Sequence, residues 1–351
     1  MKILQVGCSG TYNYGDEMSH RSVRNELREI FPNATIIQLG VKQMMLEREH
    51  SDADDIVSFS KTDRIAHLAK EAAFWVYGPG TIMTPGPSIL TARDIFNINK
   101  NVVIWGVGAS SFVGSEYSLG AEMIRKAALV TARDKQSADF MKLIRKDVHV
   151  VPDPMLSHIV TMKPKYTPEK RNGVTISSRI LGRGGWLTEE LQNSVIEQIS
   201  AAMDEIGGDW YALPASWLGG EYDSDVICHR LLRERFSDLR MLEPKSFDDV
   251  TKMISKFDTY ITSRLHTGVP AAGLGVKTIL FGDDKTRYMA ENWGKGGIFA
   301  GHYTDISKKG LIDAYDLAAN IFSNGKHDDI VDNFQNRNIV FSSLRDIFRG
   351  D

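Results

Sequence analysis

The feature that most constrains the fold is an alternation of short apolar strands with helical patterns along nearly the whole chain. Apolar runs predict strands at 2–6, 35–39, 73–77, 102–105 and 127–131 in the first half, and at 173–177, 210–213, 258–263 and 276–281 in the second. Such alternation is typical of parallel sheets joined by right-handed crossovers. Because 351 residues exceed what one core usually serves, we expect an α/β protein with two Rossmann-like domains facing a central cleft.

A polar, proline-bearing stretch without periodicity divides the pattern at 163–172, and we interpret it as a linker. It separates an N-terminal Rossmann-like domain, 1–162, from a C-terminal one, 173–325. The last segment, 326–351, contains a helical pattern with an apolar face. We therefore predict that it packs back on the N-terminal domain.

Composition excludes several classes of function. The formal net charge of −3 gives no broad basic field, which argues against a sequence-independent nucleic-acid binder. Cys8 and Cys228 are the only cysteines, too few for a disulfide framework or a four-cysteine zinc site. No apolar run approaches the roughly 18 to 20 residues that span a bilayer, and the N-terminus lacks a signal-peptide pattern. We expect a soluble cytoplasmic protein.

The stretch 257–285 holds the strongest site signal. Arg264 and His266 follow one predicted strand, and Lys285 follows the next. Ligands bind at the carboxyl ends of parallel strands, so these three side chains are expected around one crevice. A guanidinium, an imidazole and an ammonium suit an anion that carries carboxylate or phosphate. The alternative is that Arg264 pairs with a local Asp and that His266 is a capping or core histidine.

Glycine-bearing loops end several strands of the first half. The loop 7–17 lies between a strand and a helix, an arrangement that can cradle phosphate, although it matches neither the dinucleotide fingerprint nor the P-loop. The loops 78–82 and 106–109 suggest close approach of backbone to a ligand, or simply tight turns. Arg133 is expected at a further strand tip, where a surface pair with Asp134 is the alternative.

Taken in order, these motifs resemble those of the polysaccharide pyruvyl transferase family over nearly the whole chain. The motifs are Asn13-Tyr14-Gly15-Asp16-Glu17, Gly78-Pro79-Gly80, Gly106-Val107-Gly108, Arg133-Asp134-Lys135-Gln136-Ser137, Asp153-Pro154 and Ser263-Arg264-Leu265-His266, with Lys285 after the following strand. Pro79 departs from the family, which usually shows three glycines there. Thr267 and Gly268 stand where relatives often have small apolar residues.

The resemblance implies a fold similar to GT-B glycosyltransferases and transfer of the enolpyruvyl carbons of phosphoenolpyruvate to two hydroxyls of a sugar. By the match, phosphoenolpyruvate is bound by Arg133, Arg264, Leu265, His266 and Lys285. His266 would be the proton shuttle, and Asp16 or Glu17 the base for the acceptor. The positions assigned to acceptor or loop contacts are Asn13, Gly15, Gly80, Gly108, Arg179 and Trp186.

The family resemblance implies neither a cofactor nor a metal, since phosphoenolpyruvate is itself a substrate. The acceptor would be a saccharide of a polysaccharide or its precursor, either free or lipid-linked at the inner membrane face. Trp186, Trp217 and Tyr222 are candidates for sugar stacking, with ordinary packing as the alternative. Two other functions stay open: a GT-B glycosyltransferase that uses a nucleotide-sugar, and a non-catalytic relative that acts as a binding protein.

Overall fold

The computed structural model describes residues 1–81, 87–109, 115–162, 169–177, 188–217, 224–292, 297–323 and 337–348. The chain divides into two compact units. Unit 1 comprises Met1–Thr11, Asp16–His158 and Phe334–Asp351, and unit 2 comprises Tyr12–Gly15 and Ile159–Asn333. The short segment Tyr12–Gly15 therefore groups with unit 2, although the sequence pattern places all of 1–162 in one domain.

Strands and helices alternate in both units. The strands are β1 (Lys2–Val6), β2 (Thr35–Gly40), β3 (Asp55–Ser58), β4 (Phe74–Tyr77), β5 (Gly80–Thr81), β6 (Val102–Gly108), β7 (Leu129–Ala132), β8 (His149–Val150), β9 (Arg171–Thr175), β10 (Asp209–Ala212), β11 (Arg240–Met241), β12 (Phe257–Thr262), β13 (Lys277–Gly282) and β14 (Ile298–His302). The helices are α1 (Tyr14–Ile30), α2 (Gln43–Glu49), α3 (Thr62–Glu71), α4 (Pro87–Ile98), α5 (Ser115–Lys126), α6 (Lys135–Lys142), α7 (Pro154–Met162), α8 (Glu189–Ile206), α9 (Asp225–Arg235), α10 (Phe247–Ile254), α11 (Leu265–Gly273), α12 (Asp284–Asn292), α13 (Lys308–Ser323) and α14 (Arg337–Phe348).

Each unit is built on one parallel sheet. The strand order in unit 1 is β3-β2-β1-β4-β6-β7-β8, with β5 paired to β6. The order in unit 2 is β11-β10-β9-β12-β13-β14, the doubly wound arrangement of a Rossmann-like fold. The strand order reverses between β9 and β12, so the carboxyl ends of these two strands form the switch point of unit 2, where ligands bind in such sheets.

The sheet of unit 1 is buried on both faces. Along β4, Phe74 and Val76 belong to one apolar cluster, whereas Trp75 and Tyr77 belong to another. This division follows from the two-residue period of a strand, which points successive side chains to opposite faces. Burial on both faces also explains why the strands read as continuous apolar runs. In unit 2, a cluster that includes Val174, Ile261 and Ile279 fills the space between the sheet and its helices.

The structure differs from the sequence-based prediction at several elements. Strand β6 runs on through Gly108, which the sequence pattern assigns to a loop, and β9 begins at Arg171, inside the predicted linker. The small apolar residues after His266, for which no surface helix is expected, form the buried helix α11. Strand β14 and helix α12 have weak local patterns and are not predicted from the sequence.

Thr188 caps α8, its hydroxyl accepting from the Leu191 amide at 3.3 Å. Among the described residues, no helix combines the length and the apolarity that a bilayer crossing requires.

Helix α14 packs within unit 1. Phe348 stacks on Phe74 with ring centroids 4.0 Å apart, and Phe341 lies 6.2 Å from Trp105. The Arg337 guanidinium donates to the Ser157 hydroxyl at 3.1 Å and lies 4.0 Å from the buried carboxylate of Glu26. The C-terminal helix thus completes one apolar face of the first sheet.

Glu26 should make the stability of unit 1 depend on pH. Burial raises the pKa of Glu26 from 4.5 to about 7, although Ser157, Arg337 and Trp105 oppose the rise. Between pH 4.5 and about 7, Glu26 has released its proton in the unfolded chain but keeps it in the folded chain, so the free energy of unfolding falls as pH rises. At about 1.4 kcal/mol per pH unit, the loss approaches about 3 kcal/mol.

The measurement is the free energy of unfolding in urea at pH 4.5 and pH 8 for the wild type and Glu26→Gln. The variant keeps an acceptor for Trp105 but cannot ionise, so its stability should exceed the wild type's increasingly as pH rises. Glu29→Gln is the matched control, since Glu29 is exposed on the same helix. Parallel pH curves for the wild type and Glu26→Gln would contradict the prediction.

Candidate functional site

Arg264 lies at the switch point of unit 2. It follows β12 directly and occupies the N-cap position of α11 with extended backbone angles. The Thr262 hydroxyl accepts from the Arg264 amide at 2.9 Å, which fixes the turn between strand and helix. The side chain is 12% exposed, so the guanidinium is mostly withdrawn from water but reaches the surface.

Asp225, the first residue of α9, is the ion-pair partner of Arg264. The guanidinium donates from Nε at 3.1 and 3.2 Å to the two carboxylate oxygens and from Nη2 at 2.5 Å to Oδ1. Asp225 is completely buried. Arg264 therefore does pair with an aspartate, as the alternative interpretation of the sequence supposes, but the partner lies 39 residues away rather than nearby in the chain.

Sequence reasoning did not identify Asp225. An aspartate in the first turn of a predicted helix is ordinary, because it complements the helix dipole. Nothing in its sequence neighbourhood connects it with a strand tip 39 residues further along. Only the parallel arrangement of β10, β9 and β12 brings the start of α9 to the end of β12.

His266 lies in the first turn of α11, half-buried, with the backbone of Gly15 against its side chain. A Cβ atom built on Gly15 would lie 2.2 Å from His266 Cβ, 2.3 Å from Nδ1 and 2.4 Å from Cγ. No real Cβ tolerates such distances. Position 15 therefore has to be glycine for the imidazole to lie where it does.

The segment Asn13–Gly15 is held in unit 2 by its own contacts. Asn13 forms an isolated antiparallel bridge with Ser216, and the Tyr14 amide donates to the Ala215 carbonyl at 2.9 Å. The Tyr14 hydroxyl lies 2.7 Å from the Thr251 hydroxyl. The Asn13 side chain accepts from the Gly15 amide at 2.9 Å and so starts helix α1.

Leu265 and Lys285 complete the group at this edge of the second sheet. Leu265 is the half-buried first residue of α11. Lys285 is the second residue of α12 and follows β13, which pairs in parallel with β12 through Thr262 and Leu280. The two strands end at the same edge, so Arg264, His266 and Lys285 are presented at neighbouring strand tips. This part of the geometric prediction agrees with the structure.

Arg133 is a buried residue of unit 1, with 4% of its side chain exposed. Its guanidinium lies 3.7 Å from carboxylate oxygens of both Asp134 and Asp153. A Cβ on Gly108 would lie 2.8 Å from Nη2, so glycine lets the strand pass close to the guanidinium without displacing it. The alternative of an Arg133–Asp134 pair on the surface is therefore wrong, because the charged group is enclosed.

Three sequence motifs meet around Arg133. Asp134 caps α6 by accepting from the Ser137 amide at 2.6 Å, and the Ser137 hydroxyl accepts from the Ala109 amide at 2.9 Å. Asp153 accepts from the Met155 amide at 2.9 Å at the start of α7. These contacts give the motifs a shared structural role in unit 1, and the role of Arg133 in donor binding stays a prediction.

Glu17 is completely buried in unit 1 and holds the loop that precedes it. Its carboxylate accepts from the Thr11 amide at 2.7 Å, and from the Gly10 amide and the Ser9 hydroxyl at 3.1 Å. Burial raises the pKa of Glu17, and these hydrogen bonds act in the opposite direction.

The fourth partner of Glu17 is His50 Nε2, at 2.7 Å. Arg24 donates to His50 Nδ1 at 3.1 Å, so Nε2 carries the hydrogen that is donated to the carboxylate. Burial, together with Arg24, lowers the pKa of His50 well below its usual range, which keeps the ring neutral. The structure therefore uses Glu17 to fix the glycine-bearing loop 9–11.

Asp16 and Gly80 have more exposed surroundings in unit 1. Asp16 is half-buried and accepts from the Thr11 hydroxyl at 3.1 Å. Gly80 follows the cis peptide bond between Gly78 and Pro79 and pairs with β6 at Val107. Gly78 and Gly80 both have φ near +125°, angles that favour glycine.

Arg179, Trp186 and Tyr222 lie outside the described residues. Trp217 packs edge-on against Phe247, with ring centroids 5.0 Å apart, as the packing alternative supposes. Within the described ranges, no three His, Cys, Asp or Glu side chains are grouped closely enough to hold a metal ion.

Solved structures define the fold class. A UDP-GlcNAc 2-epimerase from Neisseria meningitidis bound to UDP-GlcNAc has a TM-score of 0.66 at 10% identity, covering 99% of this chain and 100% of that one. The epimerase from Methanocaldococcus jannaschii has a TM-score of 0.63 at 12% identity, over 97% and 99%. Medicago truncatula UGT71G1 complexed with UDP-glucose has a TM-score of 0.58 at 9% identity, over 99% and 98%. The chain is thus an α/β protein of the GT-B-like class with Rossmann-like units.

The family follows from the sequence itself. The model for polysaccharide pyruvyl transferases matches residues 13–285, from the first motif to the lysine after β13. The chain belongs to the polysaccharide pyruvyl transferase family and is a transferase. A comparison with curated proteins gives no match.

Proposed function

We propose that the protein transfers the pyruvyl group of phosphoenolpyruvate to two hydroxyls of a sugar in a polysaccharide or its precursor. The products are a cyclic pyruvate ketal and inorganic phosphate. The observation that carries the proposal is the set of Arg264, His266 and Lys285 at adjacent strand tips of unit 2. Membership of the pyruvyl transferase family supports the same donor.

The charges of the site suit phosphoenolpyruvate. This donor carries a carboxylate and a phosphate on neighbouring atoms. Arg264 offers a planar fork for either group, and Lys285 offers a compact charge for phosphate oxygens. Arg264 is the N-cap of α11 and Lys285 lies in the first turn of α12, and first-turn backbone amides at this edge of the sheet also favour anions.

The reaction requires two additions at C2 of the donor. A proton is added to the C3 methylene, and C2 becomes an electrophile that one sugar hydroxyl attacks as it loses its proton. The C2–O bond to phosphate then breaks, and the second hydroxyl attacks C2 and releases the second proton. In total, one phosphoenolpyruvate and one diol give one ketal and one phosphate.

His266 is the proton carrier in this proposal. Its half-buried imidazole lies at the same edge of the sheet as Arg264 and Lys285, and general acid–base catalysis by such a group contributes about 10² to 10⁴ in rate. For the acceptor base we favour Asp16 over Glu17, because the buried Glu17 carboxylate is engaged by the loop 9–11 and by His50. The proposal needs no cofactor and no metal, and its acceptor is a free or lipid-linked saccharide.

Replacing Arg264 with alanine should weaken binding of phosphoenolpyruvate by about 1.5 to 3 kcal/mol, the scale of a hydrogen bond to a charged group. The measurement is calorimetric titration of the wild type and the variant with phosphoenolpyruvate, and in parallel with UDP and UDP-GlcNAc. Arg240→Ala is the matched control, since Arg240 is an exposed arginine of unit 2 with 59% of its side chain in solvent.

The three ligands separate the candidate functions. Binding of phosphoenolpyruvate by the wild type and Arg240→Ala, with much weaker binding by Arg264→Ala, supports pyruvyl transfer. Tight binding of UDP or UDP-GlcNAc without response to phosphoenolpyruvate would replace the proposal with nucleotide-sugar transfer. Phosphate release from phosphoenolpyruvate in the presence of a saccharide panel then identifies the acceptor.

A further inference from the structure

We propose that Asp225 is a positioning residue for both Arg264 and His266. This inference rests on the proposed function for its meaning in catalysis, but the contacts on which it is built are independent of it. Asp225 lies at the start of α9, is completely buried, and faces the end of β12. No residue motif of the sequence points to it.

The first effect of Asp225 is on the orientation of Arg264. Three donor–acceptor contacts between the two side chains, from 2.5 to 3.2 Å, use Nε and Nη2. A guanidinium held along this edge has a fixed plane, because its fork matches the two carboxylate oxygens. The orientation in which Arg264 meets an anion is therefore set before the anion arrives.

The second effect of Asp225 is on the segment that contacts His266. Asp225 Oδ2 accepts from the Ala215 amide at 3.0 Å and from the Ser216 amide at 3.1 Å, and the Asp225 amide donates to the Ser216 carbonyl at 2.8 Å. Ala215 and Ser216 in turn carry the segment Asn13–Gly15.

That segment brings the backbone of Gly15 against the imidazole of His266. One buried carboxylate thus supports the guanidinium directly and the imidazole through two backbone contacts. The chain of contacts lies entirely within unit 2.

Helix α9 is itself tied to the switch point. His229 Nε2 accepts from the Ile176 amide at 3.1 Å, and the Cys228 thiol donates to the Ser177 carbonyl at 3.6 Å. Ser177 also donates through its amide to the Ser263 hydroxyl at 2.9 Å. These contacts hold the start of α9, the end of β9 and the turn before Arg264 together, as a positioning role for Asp225 requires.

The test is a double-mutant cycle on phosphoenolpyruvate affinity with Asp225→Asn, Arg264→Ala and the double variant. Asparagine is isosteric and has one oxygen, so it can serve the 215–216 amides but not Arg264 as well. Asp225→Asn should raise the dissociation constant at least about tenfold. The double variant should bind no more weakly than Arg264→Ala, because Asp225 acts through Arg264. Asp225→Glu should recover part of the affinity.

Asp258→Asn is the matched control. Asp258 pairs with Lys277 at 2.8 Å at the opposite end of the same two strands, and its substitution changes the charge of unit 2 equally. It should bind phosphoenolpyruvate like the wild type. Wild-type affinity of Asp225→Asn for phosphoenolpyruvate would overturn the inference. So would a loss of affinity on adding Asp225→Asn to Arg264→Ala that equals the loss in the wild-type background.

A second measurement does not depend on the donor or on the folding of the Asp225 variants. In the wild type labelled with ¹⁵N-arginine, the Arg264 Nε–H signal, assigned by its loss in Arg264→Lys, should exchange slowly with solvent. The exposed Arg240 provides the fast reference. Fast exchange at Arg264 would overturn the inference. If the wild type shows slow exchange but does not bind phosphoenolpyruvate, the proposed function fails and the positioning contact stands.

Discussion

Replacing His266 with alanine is expected to reduce turnover by about 10² to 10⁴ while leaving phosphoenolpyruvate affinity largely intact. The physical reason is that the imidazole moves protons, whereas Arg264 and Lys285 supply the charge that binds the donor. Truncation at His266 also removes little buried surface, because the side chain is half-buried. The loss should therefore fall on kcat rather than on stability.

The measurement is phosphate release from phosphoenolpyruvate with an accepted saccharide, together with calorimetric donor affinity. His67→Ala is the control for removal of a histidine, since His67 is exposed on α3 with 69% of its side chain in solvent. Near-normal turnover in His266→Ala would remove His266 from proton transfer. A matching loss of donor affinity would instead make it a binding residue.

Replacing Gly15 with alanine is expected to lower kcat by about 10², the cost of displacing a catalytic group by about an ångström. The added methyl group would lie within 2.4 Å of three His266 atoms, so either the imidazole or the segment Asn13–Gly15 has to move. Gly15 is the second residue of α1, and alanine has a higher propensity than glycine within a helix, so the change need not lower stability.

A comparison with Gly207→Ala separates activity from stability. A Cβ at Gly207 meets no atom within 4 Å, but the residue has a φ of +70°, so alanine there is strained without touching the site. It should lower stability and leave kcat unchanged. In the His266→Ala background, Gly15→Ala should have no further effect on kcat. If the two losses of kcat multiply in the Gly15→Ala, His266→Ala double variant, Gly15 does not act through His266.

The sequence predicts the fold class because the signal is local. Strands such as β1 and β4 are short apolar runs buried on both faces, and each ends at glycine, where the chain turns. The cap of α8 is likewise local, because the Thr188 hydroxyl accepts from the amide of Leu191, three residues further along. Elements with weak local patterns, such as β14 and α12, are missed for the same reason.

Burial of charged groups could not be predicted in this way. Asp16 and Glu17 are adjacent acids, and the sequence treats them alike as candidates for the base. The phase of helix α1 buries Glu17 against the loop 9–11 and His50, and leaves Asp16 half-buried. Similarly, Arg133 is enclosed because β6 continues through Gly108, whose backbone lies against the guanidinium.

The sequence by itself determined the α/β alternation, the strand tips that present Arg264, His266 and Lys285, and the family. These features depend on residue types at short spacings along the chain, so they can be recognised without knowledge of the tertiary structure. Only the tertiary structure decided that Asp225 pairs with Arg264 and that Gly15 lies against His266. The order of strands in the second sheet brings Asp225 to Arg264, and the bridge between Asn13 and Ser216 brings Gly15 to His266. Neither contact follows from spacing along the sequence, because each joins residues that are far apart in the chain.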